Sequence, residues 1–360
     1  KFYTDKAEFK SEADVRLSII KEIHNRLQSP DKNTPGAWSG FEYDFSGSTF
    51  FYPVDLTNSY YTKPVNFSGS TYQNEVRFDG SVYKDEADFG SSIYKSWATF
   101  DGSTYTGWVG FNCSTYQSWA DFSNSTYQSE VYFSDSTYKG KADFCGSTYQ
   151  NEVYFSYSTY QNEADFSDSI CQGKADFSDS TYRGWADFRN STYQGRAGFT
   201  DSTYQNEVYF SGSTYEDKTD FNGSIFCGDV YYGKDRYNSN FSRFTECTPQ
   251  FYNENSHQNT LFGSPNNNFI IDTDKGYPIN LNSEGLPLGC KFLTSEQKEY
   301  LEDKFQEIDE TKNKLREVKD PKEKEELLKK LRSLNEELRK WREEATTVKV
   351  EDVVAEDTGS

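Results

Sequence analysis

The sequence predicts a mainly β protein: a four-sided parallel β-helix with about 22 residues per coil, an N-terminal helical cap and a C-terminal antiparallel α-helical hairpin. Three observations lead to this fold class. Aromatic residues recur every eleven positions, each repeat contains two segments with the alternation of extended chain, and two types of repeat alternate. A fixed period of this kind is typical of a solenoid, whose coils bury their apolar side chains against neighbouring coils.

The eleven-residue repeat has the consensus Ala/Val-x-Phe-Ser-x-Ser-Thr-Tyr-Gln-x-x and holds Phe in one register from residue 67 to residue 221. Each copy has two triads, such as Ala186-Asp187-Phe188 and Ser191-Thr192-Tyr193. In extended chain the first and third residues of a triad share one face, so a small residue and an aromatic ring point inward together. The predicted repeat core includes Phe122, Phe133, Phe144, Phe155, Phe166, Phe177, Phe188, Tyr182 and Tyr193.

The length of one coil follows from the alternation between 120 and 164, where Ala-Asp and Val-Tyr pairs take turns at the first triad. Like residues therefore recur every 22 positions. If like stacks on like, one coil contains two repeats and has four sides. Residues 43–236 then form about nine coils, a rod roughly 40 Å long at the usual strand spacing.

This pattern resembles the pentapeptide-repeat family, in a variant in which five- and six-residue steps alternate. The matching residues are the small residue two positions before each aromatic, as in Ala175 before Phe177 and Ser180 before Tyr182. The resemblance covers a little over half the chain. It implies a right-handed, four-sided parallel β-helix.

The segments outside the repeat are predicted to cover and extend the solenoid. Residues 1–42 form an N-terminal cap, with Ser11 as the cap of an amphipathic helix over about 12–28. Residues 237–293 break the register and are expected to be irregular, with a small hairpin built from 269–271 and 277–279.

The C-terminal part changes abruptly to Glu, Lys and Leu, which predicts a helical hairpin or coiled coil over 294–345. Thr294 and Gln297 fit a capping box, and Asp320-Pro321 starts the second helix. The tail 346–360 is strand-like near its start, and it could add to an exposed strand edge.

Composition excludes several function classes. The net charge of -20 disfavours direct binding of nucleic acid, and no apolar run is long enough to span a membrane. The histidines are His24 and His257, and no catalytic or nucleotide-binding motif is present, so we expect neither an enzyme nor a cofactor. The six cysteines have no CxxC spacing, and no metal site is predicted, although Cys227, Cys247 and Cys290 could include one disulfide.

Three sets of residues are candidates for surface contacts or modification. One is an outward aspartate ladder, and another is a set of aromatic residues that stack at the coil period; in both, a purely structural role is the competing interpretation. The third is a set of N-x-Ser/Thr motifs that could carry glycans. These residues are Asp121, Asp143, Asp165 and Asp187; Trp97, Trp119, Tyr132 and Tyr154; and Asn66, Asn112, Asn124, Asn190, Asn222 and Asn240.

The expected function is that of a non-enzymatic structural or interaction solenoid that binds a protein partner or itself, end to end or through the C-terminal helices. The absence of Met, the glycosylation motifs and a start at Lys1 favour an extracellular or surface protein that assembles into fibres, although a cytoplasmic location stays open. The family resemblance implies the alternative, an acidic rod that mimics DNA and binds a type II topoisomerase. Against it, the C-terminal helices hold many of the acidic residues and the repeats also contain Lys and Arg.

Overall fold

The computed structural model describes residues 2–31, 34–237, 239–253, 258–318 and 320–347. Within them the chain forms the predicted four-sided parallel β-solenoid, with about nine turns of about 22 residues. Each coil contributes one two-residue strand to each of four sheets, here called faces A, B, C and D in chain order. Consecutive coils pair in register at the predicted spacing, as Asp121 does with Asp143.

The strands of each face follow one another along the rod. Face A contains Tyr43–Asp44, Val65–Asn66, Ala87–Asp88, Val109–Gly110, Val131–Tyr132, Val153–Tyr154, Ala175–Asp176, Ala197–Gly198 and Thr219–Asp220. Face B contains Thr49–Phe50, Thr71–Tyr72, Ile93–Tyr94, Thr115–Tyr116, Thr137–Tyr138, Thr159–Tyr160, Thr181–Tyr182, Thr203–Tyr204, Ile225–Phe226, Leu261–Phe262 and Lys291–Phe292. Face C contains Val54–Asp55, Val76–Arg77, Ala98–Thr99, Ala120–Asp121, Ala142–Asp143, Ala164–Asp165, Ala186–Asp187, Val208–Tyr209 and Val230–Tyr231. Face D contains Tyr60–Tyr61, Val82–Tyr83, Thr104–Tyr105, Thr126–Tyr127, Thr148–Tyr149, Ile170–Cys171, Thr192–Tyr193, Thr214–Tyr215 and Arg243–Phe244.

The interior is a set of aromatic columns, and all the predicted core residues are buried in it. Phenylalanines from faces A and C meet edge to face along the axis, as Phe122 and Phe133 do at 5.0 Å and 74°. Along each column the rings stack in parallel, with Phe122 and Phe144 5.1 Å apart at 5°. Tyrosines of faces B and D form two further buried columns, in which Tyr127 and Tyr149 stack at 5.0 Å and 4°. Ring stacking at the strand spacing therefore holds successive coils together.

A buried serine column explains the first Ser of each Ser-Thr-Tyr triad. The backbone N–H of Ser125 donates to Oγ of Ser147 on the next coil at 3.2 Å. The hydroxyl of Ser125 in turn donates to the carbonyl of Phe100 on the preceding coil at 3.2 Å. The same pattern repeats along the rod, so the corner carbonyls are satisfied inside the solenoid.

The second residue after each inward Phe turns the corner in the left-handed backbone conformation. Gly102 has φ +61° there, and the same position holds Asn124 at 55°, Asp135 at 57° and Tyr157 at 59°. Gly, Asn and Asp tolerate this conformation, which accounts for their frequency at this point of the repeat.

Both ends of the core are covered in the described part of the chain, the N-terminal end by a helix. Helix α1 spans Phe2–Leu27, so it begins well before Ser11, and the prediction of Ser11 as its cap is wrong. In the predicted amphipathic helix, Ile20 and Leu27 pack on the core, whereas Val15 and Ile19 are exposed.

The segment after residue 237 continues the solenoid instead of forming a purely irregular region. Besides its strands on faces B and D, bridges from Gln250 to Asp220 and from Asn268 to Tyr231 complete a further coil. The hairpin predicted over 269–279 is not found there; the antiparallel pair joins Tyr252–Asn253 and Gln258–Asn259. The six cysteines are all free, which overturns the suggested disulfide.

The C-terminal helices are α2, Ser295–Glu317, and α3, Pro321–Thr346. The predicted capping box is present at the start of α2, and the Asp320 carboxylate caps α3. Leu334 and Leu338 of α3 are buried against α2, as their spacing predicts. Residues 348–360 of the tail and His257 lie outside the described residues; Thr347 forms an antiparallel bridge with Gln258.

Candidate functional site

The aspartate ladder lies on face C, one residue per coil, in the predicted register. Its carboxylates close corners: each accepts a hydrogen bond from the backbone N–H two residues later, at 3.0 Å for Asp121 and Ser123 and at 3.1 Å for Asp165 and Ser167. Burial raises the pKa of Asp121 and Asp165. Each aspartate of the ladder therefore stabilises the turn at its own corner, which favours the structural interpretation of these residues.

A cation from the chain itself lies against the ladder. The Lys141 ammonium is 3.1 Å from the Asp143 carboxylate, 3.0 Å from Glu163 and 3.8 Å from Asp165. Asp143, Asp165 and Cys145 have ligand atoms within 4.8 Å of one another. Because the ammonium neutralises these carboxylates, and because burial raises the pKa of the Cys145 thiol, the group is a poor metal site.

The predicted tyrosine pair lies on face A. The rings of Tyr132 and Tyr154 stack at 4.8 Å and 11°, and Trp108 lies 6.0 Å from Tyr132 at the other side. The ammonium of Lys174 lies over the Tyr154 ring, 5.3 Å from the ring centroid. Since these ring faces are already in contact with one another, the pair offers little surface on which a sugar ring could stack.

The tryptophan pair is different, because it is exposed. Trp97 and Trp119 lie on consecutive coils where the chain enters face C, with ring centroids 6.4 Å apart at 68°. Trp97 is 55% exposed and Trp119 is 37% exposed. Large exposed aromatic groups on a rigid wall are typical of protein contact sites.

A cation–aromatic cluster on face C was not predicted. The Arg189 guanidinium lies over the rings of Tyr209 and Tyr237, at 5.1 and 4.8 Å from their centroids, and it also binds the Asp187 carboxylate. Trp185 stacks on Tyr237. These contacts hold the loop after face C against the wall. In the sequence, the only signal of this cluster is the spacing of its residues, which are spread over about 50 positions.

The glycosylation motifs differ in accessibility. Asn222 is buried and its amide donates to Asp220, while the Asn66 amide oxygen accepts the backbone N–H of Ser68 in a corner turn. The buried Asn222 is therefore not presented for modification in the folded chain, and Asn66 is half-buried. The exposed motif residues are Asn124, Asn190 and Asn240, and Asn112 is half-buried.

The helical hairpin docks on face B near the C-terminal end of the rod. There the outward threonine column changes to Ile225 and Leu261, which form an apolar cluster with Leu301, Ile308 and Leu338. A buried guanidinium marks one edge of this interface: Arg342 lies 3.4 Å from Asp179. At the other edge Arg183 binds Asp309.

Comparison with known proteins identifies no relative. No family model matches the chain, and neither a curated protein nor a solved structure matches it.

None of the helices in the described part of the chain combines the length and the apolar character needed to cross a bilayer.

Proposed function

We propose that the protein is a non-enzymatic interaction solenoid that binds a protein partner through the side of its rod. The observation that carries this proposal is the exposed pair Trp97 and Trp119. The stacked core makes this wall rigid, so little conformational entropy is lost on binding, and Trp is among the residue types enriched in interface hot spots.

The covered ends favour lateral contacts over end-to-end stacking. Helix α1 packs on the first coil, and Ile279, Leu286 and Cys290 cover the core at the other end. End-to-end addition of strands would require one of these coverings to move. The exposed motifs at Asn124, Asn190 and Asn240 support an extracellular or surface location for this function.

The test compares the full chain with the double variant Trp97→Ala/Trp119→Ala and with the control Trp108→Ala, in which a half-buried tryptophan is removed from face A. Light scattering over a concentration series measures self-association, and cross-linking in extracts of the source organism measures partner binding. We expect the parent chain and the control to form the same complex and the double variant to lose it. A complex that survives in the double variant would refute this contact site, and filaments in all three proteins would favour end-to-end assembly.

A second candidate is an acidic rod that binds a type II topoisomerase in place of DNA. Its support is the position of the charge: residues 43–236 contain 26 acidic and 13 basic side chains, whereas 294–345 contain 16 and 14. The excess negative charge therefore belongs mainly to the solenoid, as it would in a DNA mimic. Inhibition of DNA supercoiling by a purified gyrase, lost at raised salt, would support this function over the first.

A further inference from the structure

A cleft lies between helix α2 and the solenoid, under a segment of the helix that is held at both ends. At one end the Lys298 ammonium donates to the backbone carbonyl of Gly263 at 2.7 Å. At the other end, three coils away, the Arg183 guanidinium binds the carboxylate of Asp309. Between these two contacts the helix spans the corner where face B ends.

The cleft exists because one column of side chains becomes short at this point. The residue that follows face B is a long Gln, Lys or Arg side chain on every coil from Gln73 to Gln205, but on the next coil it is Cys227. Because the Cys227 side chain is shorter than these, a cleft of about 640 Å³ is left, within the size range of sites for small organic ligands.

The lining of the cleft combines apolar and polar side chains. Leu293, Leu301 and Phe305 contribute hydrocarbon, and burial raises the pKa of the Cys227 thiol to about 12, so the thiol stays uncharged at neutral pH. The charged residues of the lining are Lys298, Glu302, Asp309 and Glu310, of which Lys298 is bound to Gly263 and Asp309 to Arg183. Glu302 and Glu310 disfavour an anion, and the apolar part of the lining disfavours an unpaired cation, so an uncharged molecule fits the cleft best.

One polar group in the cleft wall has no partner. The side-chain amide nitrogen of Gln205 is buried and donates to no acceptor within the described residues. A buried donor of this kind is costly unless it is satisfied, and the last torsion of a glutamine side chain is soft enough to turn the amide toward the cleft. A carbonyl oxygen on a bound molecule would satisfy it.

We propose that this cleft binds a small, uncharged, apolar molecule that carries a carbonyl group. The hydrocarbon body lies against Leu301 and Phe305, over the short side chain of Cys227, and the carbonyl oxygen accepts a hydrogen bond from Gln205. Binding links helix α2 to the solenoid wall and so stabilises the docked hairpin.

The test uses two fluorescent probes with the full-length protein: 6-propionyl-2-dimethylaminonaphthalene, which has the carbonyl, and 2-dimethylaminonaphthalene, which lacks it. We expect saturable binding of both. Cys227→Phe fills the cleft and should lower the affinity for both probes at least about tenfold, and Cys227→Gln, which restores the residue type usual in this column, should act in the same direction. Gln205→Leu should lower the affinity for the carbonyl probe about fivefold and leave that for the other probe unchanged.

The matched control is Gln117→Phe, which adds the same ring to the same column far from the helices and should leave binding unchanged. Far-ultraviolet circular dichroism establishes that the hairpin is retained in each variant. The proposal is overturned if neither probe binds saturably, if both Cys227 variants bind as the parent chain does, or if Gln205→Leu affects the two probes equally.

Discussion

The Asp121 carboxylate accepts a hydrogen bond from the backbone N–H of Ser123 at 3.0 Å, and this contact closes the corner after face C. We expect Asp121→Ala to lower the free energy of unfolding by about 1 kcal/mol, because a buried N–H loses its acceptor. Asp121→Asn keeps that acceptor, and it removes a charge whose burial raises the pKa of the group. Denaturant unfolding should therefore place the Asn variant at or above the parent chain. If Asn destabilises as much as Ala, the carboxylate acts through its charge and not through the corner.

Cys171 interrupts the inward tyrosine column of face D. Its neighbours on adjacent coils are Tyr149 and Tyr193, and all three are buried. We expect Cys171→Tyr to complete the stack and to raise the free energy of unfolding by about 1 kcal/mol, as cavity-filling substitutions do. The reverse change at an intact position, Tyr127→Cys, should cost about 2–4 kcal/mol, since that ring stacks on both neighbours at 5.0 Å. A destabilised Cys171→Tyr variant would mean that the column has closed over the smaller side chain.

Tyr157 occupies a left-handed corner with φ 59° and is 62% exposed, so its side chain gains little burial for an unfavourable backbone conformation. We expect Tyr157→Gly to raise the thermal midpoint, by the equivalent of about 1 kcal/mol. Gly102→Ala, at the same step of the repeat and with open space around the added methyl, should lower it by a similar amount. Two shifts of the same sign would contradict the assignment of backbone strain to this position.

The coil and its core could be predicted from the sequence because both depend on local, periodic features. Phe122 and Phe144 are equivalent in the repeat, and in-register pairing of equivalent residues places them in one column. The outward position of Asp121 follows from the same alternation. Its bond to Ser123 could have been anticipated too, because Asp accepts from the N–H two residues later wherever the chain turns.

What could not be predicted depends on contacts between distant parts of the chain. The last coil was missed because an insertion places Arg243 29 residues after Thr214, its partner on face D. The docking of the hairpin depends on Arg342 and Asp179, which are 163 residues apart and give no periodic signal. The change from threonine to Ile225 on face B does not by itself indicate a cover, because Ile93 replaces threonine in the same column and is 40% exposed.

The hairpin interface should be sensitive to pH because of Asp201, which lies beside Arg342. Burial raises the pKa of this carboxyl to about 6, although Arg342 opposes the shift. An unfolded chain has a pKa near its ordinary value of about 3.9. Between about pH 4 and 6 the folded state therefore binds more protons than the unfolded state, so the contribution of Asp201 to stability is complete below this window and is lost as the pH rises through it.

We expect Asp201→Asn to remove that loss. The variant should be more stable than the parent chain, by a margin about 1–2 kcal/mol larger at pH 7.5 than at pH 4.5. This margin is smaller than the full pKa shift implies, because the carboxyl is partly exposed and solvent screens its charge. Thermal unfolding at a series of pH values measures this difference, with Asp135→Asn, in the same corner column but away from Arg342, as the control. Parallel pH profiles for Asp201→Asn and the parent chain would show that this carboxylate does not govern the interface. If the stabilities of Asp201→Asn and the parent chain converge at low pH, Asp201 is the group that weakens hairpin docking at neutral pH.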